Sequence, residues 1–217
     1  MSSLRILPGT RPDADIYALT DSNLSLGRPL EEVVTALLSS GIKILQYREK
    51  DKDGGPMLEE CRLLRRLTRE YGACFIIDDH VDLAMLCQAD GVHVGQDDLP
   101  VEAVRSLVGT DMIIGLSTHS PDQARKAVEV GADYIGVGPI YPTHTKKNVC
   151  AAVTLDYLDW VVANINLPFV AIGGIKEHNI ADVARHGAKC CALVSELVGA
   201  PDIAAKVAAV RRTMHNI

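Results

Sequence analysis

Side chains able to grip an anion stand two residues apart in the stretch Gln46-Tyr47-Arg48-Glu49-Lys50. On an extended strand, positions i, i+2 and i+4 share a face. Gln46, Arg48 and Lys50 therefore point together, one amide and two cations, a set suited to an oxyanion or a phosphate. A solvated strand end is the structural alternative. Two acidic pairs follow: Asp78-Asp79 and, after Gly95-Gln96, Asp97-Asp98. Carboxylates are hard oxygen donors that hold Mg²⁺ together with substrate phosphates and water. The same residues ahead of a helix equally serve as caps. Ser117-Thr118-His119 adds two hydroxyls and an imidazole, and His119 reads as structural. The run Gly138-Pro139-Ile140-Tyr141-Pro142-Thr143-His144-Thr145-Lys146-Lys147 carries hydroxyls and cations. It suits a lid over an anion, with a plain exposed loop as the alternative. Gly173-Gly174 and Val194-Ser195 complete the set. Glycine lets a backbone come close to a ligand, although a tight turn needs it too.

These residues need elements that bring them to one place. Five segments repeat a pattern in which an amphipathic stretch and a glycine precede an apolar, β-branched run: SSGIKILQYR, EYGACFIID, ADGVHVG, EVGADYIGVG and RHGAKCCALV. Gly41, Gly72, Gly91, Gly131 and Gly187 hold the same place, that of a left-handed residue ending a helix. The runs read as buried parallel strands. Further strands are predicted at Asp15–Leu19, Met112–Leu116 and Phe169–Ile172. Helices are predicted over Pro29–Ser40, Leu58–Tyr71 and Pro121–Val130, the last capped by Ser120. Eight strands alternating with helices give an α/β fold, a single (β/α)₈ TIM barrel. The candidate residues then all follow strand ends, where such barrels carry their chemistry. The loops after strands seven and eight are the recurrent barrel phosphate site. No linker or charge block divides the chain, so one domain spans 1–217, with an extension over 1–14 and the barrel over about 15–214. A doubly wound sheet lacks support, since no Gly-x-Gly-x-x-Gly follows the first strand.

Composition narrows the function. The chain has 217 residues with 22 Lys and Arg against 28 Asp and Glu, a formal charge of −6. That disfavours a broad nucleic-acid surface, and aromatics at 4 % give no stacking platform for single strands. No apolar run reaches the roughly 18 residues of a membrane span, and the N-terminus lacks the apolar core of a signal peptide. The six cysteines show neither Cys-x-x-Cys nor Cys/His ligand spacing, as expected of a reduced cytoplasmic protein. Cys150, in a polar loop, is the one best placed to react. The expected partners are small molecules, neither nucleic acid nor membrane, and a homo-oligomer stays open.

Taken in order, QYREK, FIIDDHVDLA, ADGVHVGQDD, GLSTHS, GADYIGVGPIYPTHTK and AIGGIKEHN resemble the thiamine phosphate synthase family over most of Tyr17 to Ser195. The resemblance implies a cytoplasmic transferase that joins hydroxymethylpyrimidine diphosphate to a thiazole phosphate. It releases pyrophosphate by dissociative substitution and uses Mg²⁺. It implies diphosphate contacts for Gln46, Arg48, Lys50, Ser117 and Lys146, of which Arg48, Lys50, Ser117 and Lys146 are the expected catalytic groups. Asp79 and Asp98 match the Mg²⁺ ligands. Thr143 and Thr145 match thiazole-phosphate contacts in the lid, and Gly174, Val194 and Ser195 match the phosphate loops. The family usually carries Asn at the diphosphate-contacting position of Asp78; an ionised Asp there is expected to contact Mg²⁺, directly or through water, with pairing to Arg48 or Lys50 or uptake of a proton as the alternatives. The lid's return, residues 148–154, is shorter than the family's and lacks its common glycine. A thiazole tautomerase of the same superfamily is the enzyme alternative, although its usual catalytic histidine falls at Pro139. A non-catalytic barrel that binds thiamine intermediates is the other.

Overall fold

The computed structural model describes residues 5–143 and 151–216. The strands are β1 (Ile16–Leu19), β2 (Ile44–Tyr47), β3 (Cys74–Asp78), β4 (Gly91–Val94), β5 (Ile113–Thr118), β6 (Tyr134–Val137), β7 (Phe169–Ala171) and β8 (Cys191–Leu193). Each lies parallel to the next and β8 returns to β1, closing an eight-stranded barrel. The helices that follow the strands are α1 (Leu30–Ser39), α2 (Gly54–Glu70), α3 (Val81–Leu86), α4 (Val101–Val108), α5 (Pro121–Glu129), α6 (Thr154–Asn164) and α7 (Ile180–Arg185). A short α8 (Ser195–Val198) and a long α9 (Ile203–His215) complete the ring. Among the described residues no helix is long and apolar enough to cross a membrane.

Strand alternation sorts the core into two bodies. Ala18, Leu45, Phe75, Ile77, Val92, Ile114, Ile135 and Leu193 face outward and pack with the helices. Tyr17, Leu19, Ile44, Cys74, Ile76, Ile113, Tyr134, Val170 and Ala192 face inward as a separate cluster. Ile6 and Ala14 join that inner cluster, so the described part of the N-terminal extension packs against the barrel floor. Further along the same faces of the strands, the inward positions become Gln46, Asp78, His93 and Ser117. Apolar filling thus gives way to polar side chains toward the carboxyl ends, where the chain can afford them only if they are partnered.

Four of the five repeat glycines have the left-handed φ expected of a helix end: Gly41 at 84°, Gly72 at 59°, Gly131 at 76° and Gly187 at 93°. Gly91 is the exception. It lies inside β4, and the left-handed residue after α3 is Gln88, at φ 55°. Glycine is needed at 91 for space, since a Cβ there would stand 2.6 Å from Ile76 Cδ1 and 2.7 Å from the Ile113 carbonyl oxygen.

Acids just before or at strand starts tie the lower rim. Arg65 donates to Asp90 at 2.8 Å with both side chains buried, and Asp90 also accepts from the Phe75 N–H at 2.8 Å. Asp15 accepts from Arg211 Nε and Nη2 at 2.8 and 3.0 Å and contacts His215 Nε2 at 2.9 Å, joining β1 to α9. Burial alone would raise the Asp15 carboxyl, but its bonds to Arg211 and His215 hold it below the ordinary aspartate value.

Candidate active site

The cations of the QYREK segment leave β2 at its carboxyl end. Gln46 is the inward residue of the strand and is buried. Tyr47 and Glu49 take the other face, where Tyr47 Oη donates to Glu60 at 2.6 Å. Thr20 pins the turn: its hydroxyl accepts from the Arg48 N–H at 3.0 Å and donates to the Arg48 carbonyl at 3.2 Å. Arg48 Nη1 then reaches Asp21 at 2.9 Å, and its Nε lies 3.9 Å from Asp78. Lys50 Nζ is shared between Asp78, at 3.1 Å, and Asp79. Burial would lower the Lys50 ammonium, but the two carboxylates outweigh it and raise it above the ordinary lysine value.

Asp78 ends β3 facing the barrel interior, and Asp79 follows it with φ 61°. A left-handed aspartate costs about 1 kcal/mol relative to a relaxed one, and the Asp79 N–H is held by the His93 carbonyl at 2.8 Å. The turn therefore projects the Asp79 side chain over the barrel mouth beside Lys50. The Asp78 carboxyl is pushed up by burial and by the neighbouring Asp79, against the pull of Lys50 and Arg48. Its contacts are with the two cations, Lys50 and Arg48.

Helix capping accounts for neither Asp79 nor Asp98. His80 is the N-cap of α3 and Pro100 that of α4, and neither helix has a side-chain cap. Asp98 instead folds its own turn, accepting from the Gly95 N–H at 2.7 Å. The described residues contain no group of three or more His, Cys, Asp or Glu that could hold a metal ion by itself. Two carboxylates from neighbouring strands do suit Mg²⁺, which commonly takes one or two protein oxygens and fills the rest with phosphate and water.

Ser117, inward on β5, lies with its Oγ 2.9 Å from His93 Nε2. Its carbonyl accepts from Gln96 Nε2 at 2.6 Å, which ties the loop after β4 to β5. His119 is structural: its N–H donates to Gln123 at 2.7 Å, and its Nδ1 donates to the Gly138 carbonyl at 2.5 Å. Thr143 ends the described part of the segment after β6. His144, Thr145, Lys146, Lys147 and Cys150 lie outside the described residues.

Across the mouth, Gly173 and Gly174 have φ 97° and 64°. The close approach they permit is to the stem of the β6 segment. A Cβ on Gly173 would stand 2.3 Å from Pro139 Cβ, and one on Gly174 would stand 2.7 Å from the Pro142 carbonyl oxygen. Val194 precedes α8 and Ser195 opens it. Lys176 Nζ donates to Ser195 Oγ at 2.7 Å and lies 3.4 Å from Glu196, adding a cation to this side.

Sequence reasoning passed over Thr20, Asp21, Lys176 and three buried residues, Tyr17, His93 and Tyr134. The signal for the last three was available. Each falls on an inward phase of its strand, where a polar ring among apolar neighbours has to be partnered.

Comparison with known proteins agrees with the geometry. A family model described as thiamine monophosphate synthase matches residues 16–197. The chain is 62 % identical over 209 residues to the thiamine-phosphate synthase of Lawsonia intracellularis, covering 96 % of each chain. It is also 62 % identical over 199 residues to that of Pelotomaculum thermopropionicum, covering 92 % of this chain and 91 % of the relative. A solved structure described as thiamine phosphate pyrophosphorylase from Pyrococcus furiosus is similar with a TM-score of 0.85 and 34 % identity. That match covers 94 % of this chain and 96 % of the other.

Proposed function

The chain belongs to the thiamine monophosphate synthase family and is a transferase of thiamine biosynthesis, and from that premise we propose how its site divides the work. The substrates are hydroxymethylpyrimidine diphosphate and a thiazole phosphate. The bond from the methylene carbon to the diphosphate oxygen breaks with its electron pair leaving on pyrophosphate. Electron release from the pyrimidine amino group stabilises the cation left behind. The thiazole nitrogen then attacks with its own lone pair, and no proton has to be removed from it. The protein therefore has to stabilise charge on the leaving group and hold two substrates in line.

The observation that carries this reading is the charge arrangement at the mouth. Arg48 and Lys50 leave one strand end together and are aimed by carboxylates of β3 and of the segment after β1. A diphosphate entering there meets two cations already ordered, so little side-chain entropy remains to be lost. Ser117 donates to the same diphosphate, Gln46 lies below it, and Lys146 adds a third cation from the lid segment. Asp78 acts as counter-ion to Lys50 and Arg48. Asp79 and Asp98 would hold Mg²⁺, which supplies charge neutralisation at the diphosphate when bound. Thr143 and Thr145, with Gly174, Val194 and Ser195, hold the thiazole phosphate, with Lys176 beside them. The lid keeps water from the cation. The five described cysteines are buried free thiols, which suits action in the reducing cytoplasm.

The test is pyrophosphate release with both substrates, with and without Mg²⁺. One pyrophosphate per coupling, abolished by chelation, is expected. Coupling without pyrophosphate, or a rate indifferent to chelator, overturns the reading.

A further inference from the structure

Five polar side chains from five strands cross the barrel in one unbroken series. Gln46 Nε2 donates to Tyr17 Oη at 3.0 Å. Tyr17 Oη lies 2.9 Å from Tyr134 Oη, and Tyr134 Oη lies 2.9 Å from His93 Nδ1. His93 Nε2 lies 2.9 Å from Ser117 Oγ. Burial raises both phenols well above the ordinary tyrosine value, so each keeps its one hydrogen.

Counting hydrogens from Gln46 gives the series a direction. An amide nitrogen only donates, so the Tyr17 oxygen receives from Gln46, and the acceptor that satisfies its own buried hydrogen is Tyr134 Oη. Tyr134 in turn donates to His93 Nδ1, which must be bare. A neutral imidazole with a bare Nδ1 carries its hydrogen on Nε2, and that hydrogen goes to Ser117. Ser117 Oγ, already receiving, keeps its own hydrogen for an outside acceptor. In the reverse direction Ser117 would spend its hydrogen on the ring and offer an anion only lone pairs.

We propose that this series is a one-way relay that makes Ser117 an obligate hydrogen-bond donor to the leaving diphosphate, with Tyr17, Tyr134 and His93 as positioning residues. The proposal rests on the reading above that Ser117 meets the diphosphate. Space for the relay is reserved at Gly115, where a Cβ would stand 2.2 Å from Tyr134 Cζ and 2.4 Å from His93 Nδ1. Any side chain there would occupy the place of the Tyr134–His93 bond.

Two measurements test the relay. A long-range ¹H–¹⁵N correlation spectrum of the ¹⁵N-histidine-labelled protein, with His93 assigned through His93→Asn, reads the tautomer directly. The Nε2–H form is expected, and the Nδ1–H form or an imidazolium overturns the relay whatever the activity. The second is a double-mutant cycle on kcat. Tyr134→Phe is expected to lower kcat about three- to tenfold, the scale of one hydrogen bond, and to add nothing in a Ser117→Ala background. Equal losses in both backgrounds mean a merely structural role and overturn it. Ser117→Ala with unchanged kcat sinks the diphosphate contact itself, and with it the relay's purpose. The tautomer result separates that failure from a failure of the series.

Discussion

Gly115→Ala adds one methyl group at a crowded point of the barrel interior. The new Cβ would stand 2.2 Å from Tyr134 Cζ, 2.4 Å from His93 Nδ1 and 2.5 Å from Tyr134 Cε1, where ordinary contact begins at 3.4 Å. Relief needs a shift of about 1.2 Å from the phenol (3.4 − 2.2). The Tyr134 ring is buried among packed strands and cannot swing away. A shift of that size opens the 2.9 Å bond to His93 beyond hydrogen-bonding reach. Overpacking costs about 1–3 kcal/mol, and buried groups left without partners add about 1–3 kcal/mol. The expected loss is therefore about 2–6 kcal/mol, a large part of the roughly 5–15 kcal/mol that holds a protein folded. At about 2–4 °C per kcal/mol for a chain of this size, Tm should fall by about 4–24 °C. Thermal and urea melts measure it. Gly136→Ala is the control, because its Cβ would meet nothing nearer than His93 Cε1 at 3.4 Å, and it should cost less than about 1 kcal/mol. A Gly115→Ala protein that melts within about 2 °C of wild type, or no more than Gly136→Ala below it, refutes the packing argument.

Other outcomes follow from the mouth and the lower rim. Asp79→Asn and Asp98→Asn should each lower turnover at limiting Mg²⁺ by about tenfold or more while leaving urea midpoints near wild type, since neither residue caps a helix. Wild-type turnover in both would remove them from the metal site. Asp78→Asn should leave the Mg²⁺ requirement unchanged and lower KM for the pyrimidine diphosphate, because Lys50 loses a competing carboxylate. A several-fold higher Mg²⁺ requirement would instead put Asp78 among the ligands. For Asp15 the folded pKa is depressed below the ordinary aspartate value of 3.8, so its stabilisation is full above that value and is lost as pH falls through the folded pKa. Urea melts between pH 7 and pH 3 should show this acid loss in wild type and a shallower one in Asp15→Asn. Equal slopes would show that the carboxylate is not the titrating group. Asp90→Ala should cost about 3–5 kcal/mol by leaving the Arg65 charge buried and unpaired, and a loss below 1 kcal/mol in urea melts counts against that pair.

The barrel was legible because its signals are local. A glycine after an amphipathic stretch and a β-branched run after the glycine mark a βα repeat without any knowledge of contacts. Gly91 shows where that logic stops. Its spacing matched the other four glycines, but crowding from Ile76 and Ile113 decides its identity, and crowding belongs to the folded state. The same division holds in the site. The common face of Gln46, Arg48 and Lys50 followed from strand geometry. That Arg48 is held by Asp21, 27 residues earlier, did not, since no spacing rule links adjacent strand ends. Asp78 was visible as an acid out of place, and its pairing with Lys50 required the turn at Asp79 to be seen. Tyr17 and Tyr134 lie 117 residues apart, and their bond has no signature in either segment alone.

The tie between Asp15 and α9 also constrains when the barrel can close. The carboxylate lies in the segment entering the first strand, and its main counter-charge, Arg211, comes 196 residues later. A ribosome that has delivered seven of the eight strands has still not supplied the guanidinium that makes burial of Asp15 tolerable. Without α9, burial of the Asp15 carboxylate as β1 meets β8 lacks its Arg211 partner, and desolvation then opposes closure. Charge placement makes the last helix the latch of the first strand, and a chain ending before Arg211 would bury an unpaired carboxylate at the closing seam.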